Sequence, residues 1–153
     1  MRELLFRGKQ RDNNEWVEGA LISIQADLNE NDNQHYIVAE INFRDSIYDV
    51  WKYADEVDPS TVGQFTGYID KNGKKIFEGD IFHFEDDIIA VVVFRDGGFK
   101  LEEYGLRGVY TESGYDECGG GWGILDFSPI DWYTLINLEV IGNIYDNPEL
   151  LGG

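Results

Sequence analysis

Apolar and polar positions along this chain change with a period close to two, broken by short glycine- and asparagine-rich stretches. That pattern predicts strands joined by tight turns. Glu3 to Arg7 and Glu15 to Ile22 flank the polar segment Gly8–Asn14, and Asp12, Asn13 and Asn14 suit its turn, so a first hairpin is expected. Gln25 to Gln34 is polar, acidic and aperiodic, and reads as a loop. His35 to Ile41 is rich in β-branched and aromatic residues and reads as a strand, and Ser46 to Trp51 alternates as another would. Pro59 opens a short helical turn with Asp58 as its cap.

The middle of the chain is the most regular. Gly63 to Ile69 and Ile76 to Phe84 flank Asn72-Gly73, a pair that predicts a type I′ hairpin turn. Asp87 to Phe94 turns at Asp96-Gly97-Gly98 into Phe99 to Tyr104. The run from Ile88 to Phe94 is continuously apolar and predicts a strand buried on both faces. Gly105 to Asp126 holds seven glycines and reads as a long loop or an irregular hairpin. Ser128 and Pro129 suit the start of a short helix over 129–136, Leu138 to Tyr145 a strand, and Asp146 to Leu151 a single turn.

The fold expected is mainly β. Strongly bent antiparallel hairpins build it, with residues 61–104 at the heart of a small SH3-like barrel. Helix is confined to short pieces near 57–62, 129–136 and 147–151. The chain reads as one domain, 1–153, with an N-terminal β subdomain over about 1–57 as the alternative division.

Composition narrows the function more than the fold. The chain has 153 residues, of which 42% are apolar and 14% aromatic, enough for a core and too many for wholesale disorder. Thirty acidic residues against twelve basic ones give −18. The acid is concentrated in two blocks, −7 over residues 25–60 and −9 over 101–153. Such a chain is not expected to bind nucleic acid directly, since phosphate neutralisation needs clustered Lys and Arg. The single cysteine, Cys118, excludes an internal disulfide and argues for a reducing compartment. Met1–Gln10 lacks a signal-peptide core, and no apolar run approaches membrane-spanning length. The cytoplasm is the expected location, with no membrane partner.

Candidate chemistry is sparse. Glu85-Asp86-Asp87 and Glu102-Glu103 are the acid pairs that a metal or acid–base site would use, but the first sits between two strands, where a solvated turn is expected. Asp27, Glu30 and Asp32 lack the spacing and glycine of a calcium loop. His83, between Phe82 and Phe84, reads as a sheet-surface residue without an orienting partner, and His35 as an exposed strand end. Asp116 and Glu117 beside Cys118 disfavour a thiolate. Gly119 to Gly123 lacks the Gly-Lys-Ser/Thr ending of a phosphate loop and reads as flexible. Tyr104, Tyr110, Tyr115, Trp122, Phe127, Trp132 and Tyr133 read equally as a protein-binding surface or as the cover of a barrel end. No catalytic, cofactor-binding or metal-binding residue is assigned, and no cofactor is expected.

Three blocks carry a family resemblance. Phe6-Arg7-Gly8-Lys9 leading to Glu15-Trp16-Val17 is the first. Asp58 to Gly67 running into Asp70-Lys71-Asn72-Gly73-Lys74-Lys75-Ile76-Phe77-Glu78-Gly79-Asp80-Ile81 is the second, and Val140 to Leu151 the third. In that order they resemble the YopX family of phage and prophage proteins. The resemblance implies a small, mainly β protein encoded by a phage and working inside a bacterium, and it brings no catalytic or ligand residues.

Three classes of function follow. The first is a non-enzymatic interaction protein whose partner is a host or phage protein with a basic surface, or a second copy of the chain. The second is an acidic mimic of DNA that occupies a basic nucleic-acid-binding site. The third, an enzyme with a carboxylate-only site, has the least support, since no nucleophile is paired with a base.

Overall fold

The computed structural model describes residues 4–25, 33–39, 47–85, 88–111, 114–129 and 137–152. It is mainly β, with antiparallel pairing throughout and helix confined among the described residues to short 3-10 turns. Two compact units divide the chain between Phe65 and Thr66.

The first unit holds β1 (Phe6–Lys9), β2 (Trp16–Gln25), β3 (Asn33–Val38), β4 (Ala54–Val57) and the start of β5 (Gly63–Ile69). Its hydrogen-bonded order is β4-β3-β2-β1-β5. The hairpin read from Glu3 to Ile22 is present, with Phe6 opposite Gly19 and Lys9 opposite Trp16. Asn14 takes a positive φ of 61° in its turn, a conformation asparagine tolerates.

This sheet curls until β4 meets the continuation of β1. Gln10, just past β1, bridges to Val57 at the end of β4. Arg11 N–H donates to the Glu56 carbonyl at 3.0 Å, and Asp58 N–H donates to the Lys9 carbonyl at 2.8 Å. β1 to β4 thus form a closed roll. Ile37, Val38, Val57 and Phe65 are buried in this unit, and removing their apolar surface from water stabilises it. Arg7 and Lys9 are also buried, with the Arg7 guanidinium 4.8 Å and the Lys9 ammonium 5.4 Å from the centre of the Trp16 ring.

Residues 47–53 depart from the sequence reading. Ser46 to Trp51 was expected as a strand, but Ile47–Tyr53 is a 3-10 helix. Alternation over so few residues does not separate the two, and here Trp51 meets the Tyr36 ring edge-on at 5.6 Å. Asp58 does cap the turn Pro59–Thr61, accepting from Ser60 N–H at 2.9 Å and the Ser60 hydroxyl at 2.8 Å. Of the loop expected at Gln25–Gln34, the ends belong to β2 and β3, and 26–32 lie outside the described residues.

The second unit continues β5 and adds β6 (Lys75–Phe77), β7 (Asp80–Glu85), β8 (Ile88–Arg95), β9 (Gly98–Thr111), β10 (Gly114–Pro129) and β11 (Val140–Asn143). β6 pairs with β5, and the other strands follow the order β10-β9-β8-β7-β11. β8 is buried on both faces over its residues 89–92, as its apolar run predicted, whereas Phe94 at the end of that run is exposed. Ala90 and Val92 join Ile76, Phe82, Leu101 and Val140 in one cluster, while Ile89 and Val91 join Ile81 in another.

The type I′ turn expected at Asn72-Gly73 is found in the other hairpin. The type I′ turn lies at Asp96-Gly97, where both residues have positive φ (52° and 80°) between paired Arg95 and Gly98. At Asn72-Gly73 only the glycine is left-handed, with φ 82°. Gly73 N–H donates to the Asp70 carbonyl and Asp70 N–H to the Lys74 carbonyl, which makes a type I turn followed by a glycine bulge. The cause is Asp70. Its carboxylate takes the N–H groups of Asn72 and Lys74 at 2.8 and 2.9 Å and holds the turn in the ordinary right-handed form.

Gly105–Asp126 is an irregular hairpin rather than a loop. β9 and β10 pair along its length, with register shifts between Asp116 and Gly120, Gly120 and Trp122, and Ile124 and Asp126. Gly119, Gly120 and Gly121 therefore lie within β10, where glycine accommodates the bulges. Ser128 and Pro129 are the end of β10, and the rest of the helix expected over 129–136 lies outside the described residues. The closing turn is present as Pro148–Leu151. No helix among the described residues is long and apolar enough to cross a membrane.

Candidate functional site

The roll of the first unit gathers side chains that sequence separates. Its seam places the β1–β2 turn beside β4. Between them is a polar hollow of about 270 Å³ lined by Gln10, Arg11, Asp12, Ala54, Asp55 and Glu56. A second hollow is lined by Gln10, Arg11, Asn14 and Asp58. Among the described residues Arg11 is the one cation in either lining, and its Nε lies 3.3 Å from Glu56 Oε1. Both partners are about half exposed, so solvent weakens that pair.

The charge at this place is secured by ordinary chemistry. The Ser60 hydroxyl and N–H hold the Asp58 carboxyl below its usual range, so it is ionised at neutral pH. Immediately before β4, Trp51 and Tyr53 are 54% and 48% exposed, a large aromatic area to leave in water. Residues 51–58 thus form one strip, aromatic at its start and acidic at its end, with Asp55, Glu56 and Asp58 outnumbering Lys52.

The residues singled out from sequence are mostly scattered. Glu102 and Glu103 alternate along β9 and are not a carboxylate pair. Glu102 is buried, 3.7 Å from the Arg95 guanidinium, and accepts the Tyr104 hydroxyl. Burial, and then that hydrogen bond, push the Tyr104 phenol up to about 12. His83 is exposed on β7 opposite Ile89, as expected of a sheet-surface residue. His35 is not an exposed strand end. It lies between Ser23 and Val57 on a central strand, is half-buried, and its Nδ1 is enclosed without a hydrogen-bond partner among the described residues. Cys118 lies on β10, while Asp27, Glu30, Asp32, Asp86, Asp87, Trp132 and Tyr133 fall outside the described residues. In the β9–β10 pairing Tyr110 is opposite Tyr115, and Trp122 opposite Leu106. Among the described residues no group of three or more His, Cys, Asp or Glu is placed to hold a metal ion.

Sequence reasoning missed Trp51, which was read as the end of a strand, and Tyr53, which was given no reading. The available signal was the sequence Trp-Lys-Tyr directly before an acidic run.

No curated protein is significantly similar to the chain. Among solved structures, the crystal structure of protein EF1440 from Enterococcus faecalis is similar, with 22% identity, 99% of each chain covered and a TM-score of 0.49. A family model described as YopX protein matches residues 5–152, nearly the full length, and the chain belongs to the YopX family.

Proposed function

We propose that this YopX protein is a phage- or prophage-encoded, non-enzymatic interaction module that acts in the bacterial cytoplasm and binds a basic surface of a host or phage protein. The observation that carries this reading is the strip 51–58. Exposed Trp51 and Tyr53 run along the chain directly into Asp55, Glu56 and Asp58, which line hollows that hold one arginine among the described residues.

The two halves of the strip suit one kind of ligand. Tyr and Trp supply contact area at low entropic cost and attract cations to their ring faces. The carboxylates accept charge-assisted hydrogen bonds from Arg and Lys. A basic side chain passing between them gains from both.

The test is association kinetics with a basic protein such as a lysine-rich histone fragment. Association slows markedly as salt rises from about 0.05 to 0.5 M, because the screening length falls from above 10 Å to below it. Trp51→Ala speeds dissociation, and replacing Asp55, Glu56 and Asp58 with their amides slows association. Salt-independent association, or no effect of either change, rejects the proposal.

A further inference from the structure

We infer that the Arg11 guanidinium is a built-in stand-in for the partner, holding the place beside Glu56 that a basic side chain of the bound protein takes over. This deepens the proposal above and rests on it for the partner's charge.

The first support is where Arg11 lies. Among the described residues, the two hollows at the seam share Gln10 and Arg11 and no other lining side chain. Their remaining charged groups are all acidic, Asp12, Asp55 and Glu56 in one and Asp58 in the other. The single cation is therefore common to both acidic spaces. Its Nε is 3.3 Å from Glu56 Oε1. The Ser60 hydroxyl and N–H are the main causes that lower the Asp58 carboxyl, and the Arg11 charge adds a smaller part. Arg11 thus acts on an acid of each hollow.

The second support is what holds it. The main chain of Arg11 is fixed, because its N–H donates to the Glu56 carbonyl at 3.0 Å. Gln10 N–H donates to the Glu15 carbonyl at 2.9 Å, and Asn14 N–H to the Gln10 carbonyl at 3.0 Å. These bonds keep the turn whether or not the side chain moves. The side chain is held more loosely. It is 54% exposed and the Glu56 side chain 40%, and a pair so open to water is worth little. A long side chain on a fixed main chain can swing out without opening the seam.

The consequence is selection. A partner's guanidinium or ammonium that enters makes with Glu56 the contact that Arg11 gives up, so the exchange at Glu56 is close to even. Net affinity then comes from what else the partner brings to Asp12, Asp55, Asp58, Trp51 and Tyr53. A lone cation gains almost nothing, and a segment with a second basic residue gains the rest. Arg11 is in this sense the residue that sets specificity, by a built-in competitor rather than by a new attraction.

The experiment uses the full chain, labelled with nitrogen-15, and a capped peptide of alternating glycine and arginine at low salt. At saturation the Arg11 Nε–H signal should move to the position of an unpaired arginine, while the Arg11 main-chain amide keeps its protection from exchange. Arg11→Gln should tighten binding roughly threefold. Loss of any nearby positive charge would also tighten it, so a double-mutant cycle with Glu56→Gln decides. In the parent, Glu56→Gln should change affinity little, since one pair is exchanged for another. In the Arg11→Gln background it should weaken binding roughly threefold. The cycle keeps the test decisive if the Nε–H signal is lost to exchange with water. Equal effects of Glu56→Gln in both backgrounds, or an Nε–H signal unmoved at saturation, reject the stand-in while peptide binding leaves the electrostatic module standing. If neither the peptide nor the basic protein binds at low salt, both readings fall.

Discussion

The Asp70 carboxylate and the Val140 main chain, seventy positions apart, are joined by a hydrogen bond of 3.2 Å from Val140 N–H to Asp70 Oδ2. The same carboxylate closes its own turn through Asn72 and Lys74. The neighbouring Lys71 N–H donates to the Leu138 carbonyl at 3.1 Å. One hairpin turn therefore fixes the start of β11, and the second family-like block from Thr66 onward shares a structural unit with the third, 140–151.

Asp70→Ala should destabilise the protein by about 3 kcal/mol, because it strips the buried Val140 N–H and the part-buried N–H groups of Asn72 and Lys74 of a charged acceptor. The urea midpoint measures the loss. Hydrogen exchange at Val140 should quicken more than at Val92, in the middle of the sheet. Equal effects at the two amides would contradict the tie.

Acid should undo the same tie. Burial alone would raise the Asp70 pKa, but hydrogen bonds from the N–H groups of Lys74, Val140 and Asn72 outweigh it and hold the carboxyl below its ordinary 3.8. A depressed folded pKa stabilises fully above the ordinary value, and that stability is lost as pH falls through the folded one. Asp70→Asn should therefore show a flatter decline in stability below pH 3.8 than the parent, read from unfolding midpoints at stepped pH.

Glycine substitutions should rank by collision rather than by φ. Gly73 is left-handed, but the space around it is open, so Gly73→Ala costs strain of roughly 1 kcal/mol. Gly19 has an ordinary φ, yet a Cβ there would run into the main chain of Val38 and Ala39. Gly19→Ala should lower the thermal midpoint further than Gly73→Ala, and the reverse order would refute the ranking.

Tyr104 should titrate late. Its phenol, raised to about 12 by burial and then by Glu102, keeps its proton in the folded state beyond the ordinary 10.0. The stabilisation is complete below pH 10.0 and is lost as pH rises through about 12. Glu102→Gln should bring the ultraviolet phenolate transition of this tyrosine back towards 10.0.

Local chemistry was legible in sequence, and closure was not. The Asp58 cap, the Asn14 turn and the two-faced burial of β8 follow from residue type and short spacing. The turn type at Asn72-Gly73 was hidden because an aspartate two residues before Asn72 overrides the usual reading of Asn-Gly. The β-rich reading of 61–104 held, but the sheet that rolls shut is at 6–57. That closure depends on Gln10 meeting Val57, a contact no periodicity records. The acids of the candidate site were visible as a charge block. Their meeting with Gln10 and Arg11, and the exposure of Trp51 and Tyr53, required the roll.

The seam also sets an order of assembly. The β1–β2 and β3–β4 pairs each join nearby segments, whereas Gln10 and Val57 are brought together only when every intervening strand is in place. Closing so long a loop costs entropy that only the finished ladder offsets. A reporter pair across Phe6 and Gly19 should come together early in refolding, and a pair across Gln10 and Val57 last. The hollow beside that seam then exists only in fully folded molecules, and a partly folded chain presents its lining residues apart.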